Sequence, residues 1–157
     1  MTIARGHDRI VLVLYFIVIK LPNFQNAYAS RDRRPLLRGI LRKIHKNWQE
    51  FAFYVRTRHQ FCVPTYFSLF GLVNIQPRLA PVPEDVAIRH LWPTLFSVTE
   101  QRFNELGFTG HTLQHPRNFG LWRGRVVLCD YTKERDQSFI LQYGEAFQRE
   151  FGQYLPE

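Results

Sequence analysis

Residues 111–130, His-Thr-Leu-Gln-His-Pro-Arg-Asn-Phe-Gly-Leu-Trp-Arg-Gly-Arg-Val-Val-Leu-Cys-Asp, constrain this chain more than any other stretch. Residues 119–122 and 125–130 are short apolar runs of strand character, and Arg123-Gly124 between them has the chemistry of a tight hairpin turn. Asn118 stands just before the first strand and Asp130 at the end of the second. Pairing the strands brings an amide oxygen and a carboxylate near each other, as a phosphate-bound Mg²⁺ requires.

The order His-x-x-x-His-Pro-x-Asn, short hairpin, Asp-aromatic resembles the catalytic loop and metal-binding segment of the protein-kinase-like fold. It is closest in style to small bacterial and phage kinase-like proteins and to the aminoglycoside-phosphotransferase type. The resemblance implies ATP and Mg²⁺ as cofactors, with Asn118 and Asp130 as metal ligands. It puts the catalytic-base position on Leu113, which can neither accept a proton nor orient a hydroxyl, and Thr132 stands where the family has glycine. A degenerate, pseudokinase-like protein is therefore implied, leaning away from enzymatic activity. It would regulate by binding nucleotide or an unidentified protein partner, and a phage or mobile element would carry it. The active alternative is a weak kinase for proteins or small molecules. Its phosphotransfer would rest on positioning and charge, with another base such as His115.

The resemblance extends into the N-terminal half. Gly6-His7-Asp8-Arg9-Ile10-Val11 resembles a reduced glycine-rich loop, and Val18-Ile19-Lys20-Leu21-Pro22 resembles the lysine strand. In such a lobe a helix carries a glutamate whose pairing holds the lysine ammonium over the phosphates. Glu50 is the glutamate of the long helix read below, so Gly6, Lys20 and Glu50 form the implied phosphate side of a nucleotide site. Ile75 and Pro77, at the junction between lobes, would border the base. The expected architecture is α+β, a single minimal kinase-like domain over residues 1–157. Residues 1–80 would form an antiparallel N-lobe sheet with one long helix, and residues 81–157 a reduced helical C-lobe carrying the hairpin.

Periodicity supplies the elements. Residues 10–19 are an unbroken apolar run, too short to cross a membrane and rich in β-branched and aromatic side chains, which suits buried strands. The rival reading is a secretory signal, with Arg5 and Arg9 ahead of the run and Ala27-Tyr28-Ala29 resembling a cleavage site. Asp8 dilutes that positive start, and Lys20, Pro22 and Asn23 lengthen the approach to the cut, so strands are preferred. A mature protein starting at Ser30 would reverse the preference.

Residues 36–56 read as a helix, with Leu37, Ile40, Leu41, Ile44, Trp48 and Phe51 recurring at threes and fours along one face. Pro35 suits its first turn and Asp32 a cap upstream. Arg31, Arg33, Arg34, Arg38, Arg42, Lys43 and Lys46 gather around it with only Asp32 to offset them, in a chain of net charge +8. That cluster carries a second reading, a basic nucleic-acid-binding module whose affinity would fall steeply with salt.

Residues 62–70 and 72–76 look like two strands turning at Gly71, followed by a proline-broken connector through Pro77, Pro81 and Pro83. Residues 84–90 predict a short helix. Ser97 and Glu100 form a capping box for another, ending at Gly107. A last helix over 136–151 puts Phe139, Ile140, Tyr143, Phe147 and Phe151 on one face. Cys62 and Cys129 sit in apolar runs and read as buried thiols of a reducing, cytoplasmic protein with no membrane partner. Zinc held by His111, His115 and Cys129 is a weaker alternative, because Pro116 keeps His115 out of a helix. No serine lies in a Gly-x-Ser-x-Gly turn.

Overall fold

A computed structural model describes residues 1–6, 8–25, 33–107 and 111–155. It is α+β with antiparallel sheets. The chain divides into two compact units, residues 1–57 with 64–78, and residues 58–63 with 79–157.

In the first unit the long apolar run is cut into two strands by a turn in which the Leu14 N–H donates to the Ile17 carbonyl at 2.9 Å. The strands are β1 (Thr2–Arg5), β2 (Arg9–Val13), β3 (Ile17–Pro22), β4 (Phe67–Leu69) and β5 (Val73–Pro77). They form one antiparallel sheet in the order β1-β2-β3-β5-β4. Helix α1 (Arg33–Thr57) follows β3 in the chain and packs on β3, β4 and β5. Strand β4 is much shorter than residues 62–70 suggested. Pro64 has no N–H to give a ladder, and Cys62 and Val63 instead pair with Leu128 in the second unit. The turn from β4 to β5 needs Gly71, which is buried at φ +78°, where a Cβ would collide with the Ile44 carbonyl oxygen of α1.

The packing of α1 departs from ordinary amphipathic behaviour. Its inward face carries Lys43, Asn47, Glu50 and Phe53, all buried. Leu37, Leu41, Trp48 and Val55 are exposed. The apolar stripe is real, and it points outward.

The second unit holds a small sheet of β6 (Ala80–Pro81), β7 (Phe119–Trp122) and β8 (Arg125–Leu128) in that order. Arg123 and Gly124 both take left-handed conformations, φ 52° and 74°, as the hairpin turn demands. Around it lie α2 (Glu84–Val98), the single turn α3 (His111–Gln114) and α4 (Glu134–Gly152). The core is aromatic, with Phe61, Phe103, Phe119, Tyr131, Phe139, Phe147 and Phe151 buried together. Phe147 stacks on Phe151 at 5.4 Å and lies 5.2 Å from Phe61.

One helix, α2, replaces the two expected over 84–90 and 97–106. It runs through Pro93, which lies on an exposed position where the loss of one hydrogen bond is tolerated. Ser97 therefore lies inside the helix and caps nothing. The helix stops at Thr99, whose N–H and hydroxyl both donate to the Leu95 carbonyl. Glu100 and Gln101 then turn the chain away at φ 53° and 64°.

Candidate functional site

The register of the first unit gathers its polar side chains. Lys20 on β3 faces Val11 on β2 and Asn74 on β5. Side chains directly opposite share a face, as do those two residues along a strand. Arg9, two before Val11, and Gln76, two after Asn74, therefore join Lys20 beneath α1. The Lys20 ammonium donates to Glu50 Oε1 at 2.7 Å, Gln76 Nε2 donates to the same oxygen at 2.5 Å, and Arg9 Nη1 donates to Oε2 at 2.5 Å. Gln76 also donates to the Thr65 hydroxyl at 2.8 Å.

Glu50 is fully buried. Burial is the largest single influence on its carboxyl and would raise its pKa. The charges of Arg9 and Lys20, with their hydrogen bonds, together outweigh it and hold the group below the usual carboxylate range. The Asn47 side-chain amide, also fully buried, meets no hydrogen-bond partner among the described residues. Such a network is costly to bury and more costly to break, because either partner left alone becomes an uncompensated buried charge.

Lys20 and Glu50 were legible from the sequence, and they do meet. Arg9 and Gln76 were missed. The missing signal was strand parity, which cannot be counted until the turn at residues 14–16 is placed. Gly6 closes a three-residue connection, residues 6–8, between β1 and β2. Its N–H donates to the Arg9 carbonyl at 2.8 Å, and its own carbonyl accepts from Asn23 Nδ2 at 2.7 Å. Ile75 and Pro77 lie within β5, opposite Ile19 and Ile17.

In the second unit the pair Phe119↔Leu128 ends the hairpin ladder. Just beyond it the Cys129 N–H donates to the Asn118 carbonyl at 2.7 Å, so Asn118 and the 129–130 segment leave the hairpin side by side. Asn118 is fixed by a one-turn 3₁₀ helix over Pro116–Asn118, and Asp130 Oδ1 accepts from the Thr132 hydroxyl at 3.4 Å. Both side chains are half-buried. An amide oxygen and a carboxylate are both ligand types that Mg²⁺ takes, and among the described residues they are joined by no cluster of three histidine, cysteine or acidic side chains. Leu113 is wholly buried and offers no proton acceptor.

The zinc alternative finds no support among the described residues, where no three histidine, cysteine or acidic side chains gather. The His111 side chain lies outside them. Neither cysteine is in a disulfide; Cys62 is buried and Cys129 half-buried.

The basic cluster needs correction. Lys43 is 2% exposed and donates to the Asn23 carbonyl at 2.5 Å, so it points into the unit and is not on a solvated face. Lys46 pairs with Asp8 at 2.5 Å. Both anchor α1 to the chain around β1, β2 and the end of β3. Arg38 and Arg42 are exposed. Arg31 and the side chains of Arg33 and Arg34 lie outside the described residues. Among the described residues no helix is long and apolar enough to cross a membrane. No protein-family model, curated protein or solved structure matches the chain.

Proposed function

We propose that this chain is a degenerate protein-kinase-like protein that binds a nucleotide with Mg²⁺ and regulates a partner without transferring phosphate. The observation that carries the reading is the buried ion pair between Lys20 of β3 and Glu50 of α1. A lysine on the third strand, held by a glutamate from the helix that follows, is what that fold uses to orient the α- and β-phosphates. The five-stranded antiparallel sheet with one helix between its third and fourth strands supports the same reading. Asn118 and Asp130 would hold the metal, whose chemistry would be to neutralise phosphate charge. The resemblance puts Leu113 at the base position, and a wholly buried aliphatic side chain there favours binding over catalysis. Of the cations proposed for nucleic acid, Lys43 and Lys46 are engaged within the unit, which leaves that alternative the weaker one.

The test is a thermal melt of the full chain with ATP and Mg²⁺. A ligand that binds only the native state, present at 100 times its Kd, adds about 2.7 kcal/mol by mass action. The melting point is expected to rise by several degrees, and the rise to vanish in Asp130→Ala and in Lys20→Met. Each variant is judged by its ligand-induced shift and not by its own stability. If ATP, ADP and GTP with Mg²⁺ all leave the wild-type melt unmoved, nucleotide binding is wrong. Steady ATP hydrolysis or phosphotransfer that disappears in Asp130→Ala would make the protein an enzyme.

A further inference from the structure

The outward stripe of α1 points to a second, independent site. Leu37, Leu41, Ile44, Trp48, Phe51 and Val55 follow one another at spacings of four, three, four, three and four. That alternation is the 3.5-residue repeat of a coiled-coil seam, narrower than the face a globular core needs. The stripe is open along its length, with Leu37 59%, Leu41 55%, Trp48 39% and Val55 41% exposed. It runs about 27 Å at 1.5 Å per residue. Ile44 and Phe51 are half-buried between more exposed neighbours, so the surface alternates between knobs and recesses.

The β4–β5 turn adds to it. Phe70, 74% exposed, lies nearly parallel to Trp48 with ring centroids 6.5 Å apart. Gly71, wedged against the Ile44 carbonyl, fixes this turn to the helix. The other flank is cationic, with Arg38, Arg42 and Arg56 all exposed. We infer that this seam is a docking site for an acidic amphipathic helix of a partner protein, with apolar residues at heptad spacing and glutamates or aspartates along one edge.

Charge complementarity selects that occupant. A symmetric pairing with a second copy would bring the cationic flank against more cations, in a chain already at +8. An anionic bilayer would satisfy the charge, but a bilayer imposes no register, and this stripe has one. An acidic helix satisfies both the repeat and the flank. Nothing in this inference depends on nucleotide binding.

The probe is a synthetic three-heptad peptide with leucine at the two seam positions and glutamate along both edges, fluorescently labelled and titrated with the full chain. Saturable binding is expected, weakening in high salt. A peptide with lysine in place of every glutamate should not bind. The variants Leu41→Gln and Val55→Gln should each weaken binding by about tenfold, since a few apolar anchors carry most of a helix-in-groove contact. Both positions are exposed, so circular dichroism should show the fold unchanged. Arg38→Gln with Arg42→Gln should weaken binding of the acidic peptide and flatten its salt dependence. Equal binding of acidic and basic peptides overturns the inference, as does absence of binding. So does a dimer of the free chain that Leu41→Gln dissociates, or capture by phosphatidylglycerol vesicles that exceeds capture by the peptide.

Discussion

Helices α1 and α4 carry equally clear apolar stripes and use them in opposite ways. On α4 the stripe goes inward: Phe139, Ile140, Phe147 and Phe151 are buried, with Phe139 and Phe147 against Phe61 and Phe147 also against Phe119. On α1 the stripe stays outside, and the buried face carries Lys43, Asn47 and Glu50. A periodic stripe therefore tells which residues share a face and leaves open which way that face points. The α4 arrangement stabilises through removal of apolar surface from water. In α1, ordered charge is held at a cost in desolvation, so the network adds little net stability while being costly to break.

The largest expected effect tests the α4 side. Phe147→Ala removes a ring packed among four others and should destabilise the second unit by about 4 kcal/mol through lost burial and a cavity. Urea unfolding followed by Trp92 and Trp122, with Trp48 replaced by Phe, would measure it. A loss under a quarter of that size would mean the aromatic core is loosely packed, and the contrast between the helices would weaken.

Next comes Glu50→Gln, which leaves the Arg9 and Lys20 cations buried without their carboxylate. It should destabilise the first unit by about 3 kcal/mol, the scale of breaking one side of a buried ion pair. Trp48 fluorescence would follow it, with the other two tryptophans replaced. The triple change Arg9→Leu, Lys20→Met, Glu50→Leu should recover most of that loss, because apolar side chains of similar volume often replace a buried charge network at little cost. Failure to recover would show that the network stabilises the fold outright. The pH dependence has a definite sign. The Glu50 carboxyl is held below its unfolded range, so the unfolded chain takes up that proton first as pH falls. Its contribution is complete above the unfolded carboxylate range and is lost as the pH drops through the folded value. Glu50→Gln should flatten this acid limb.

Much of this was legible because it depends on local chemistry. The hairpin turn at Arg123-Gly124 and the apolar face of α4 each follow from short-range pattern, whereas the meeting of Lys20 with Glu50, 30 residues apart, was expected only through the kinase-like resemblance. The misreadings have a common cause in tertiary context. Helix α2 passes through Pro93 because the ring faces outward at a position where one lost hydrogen bond is bearable. Lys43 looked solvated from its neighbours and is buried, because the Asn23 carbonyl lies where its ammonium can reach. Arg9 reads in the sequence as part of a reduced glycine-rich loop or as a charge ahead of an apolar run, because its strand face is fixed by a turn the sequence marks faintly.

The smallest expected effect separates the helices most sharply. Leu41→Gln on α1 and Ile140→Gln on α4 make the same kind of change on two apolar stripes. At the exposed Leu41 the change should stay within about 0.5 kcal/mol, because little surface leaves or enters water. Ile140 is wholly buried. There the amide loses water without gaining a partner, and a loss of about 3 kcal/mol is expected. Urea midpoints of the two variants decide the matter. If Leu41→Gln destabilises as much as Ile140→Gln, the α1 stripe is part of a folded core after all, and its exposure no longer marks a surface kept for another helix.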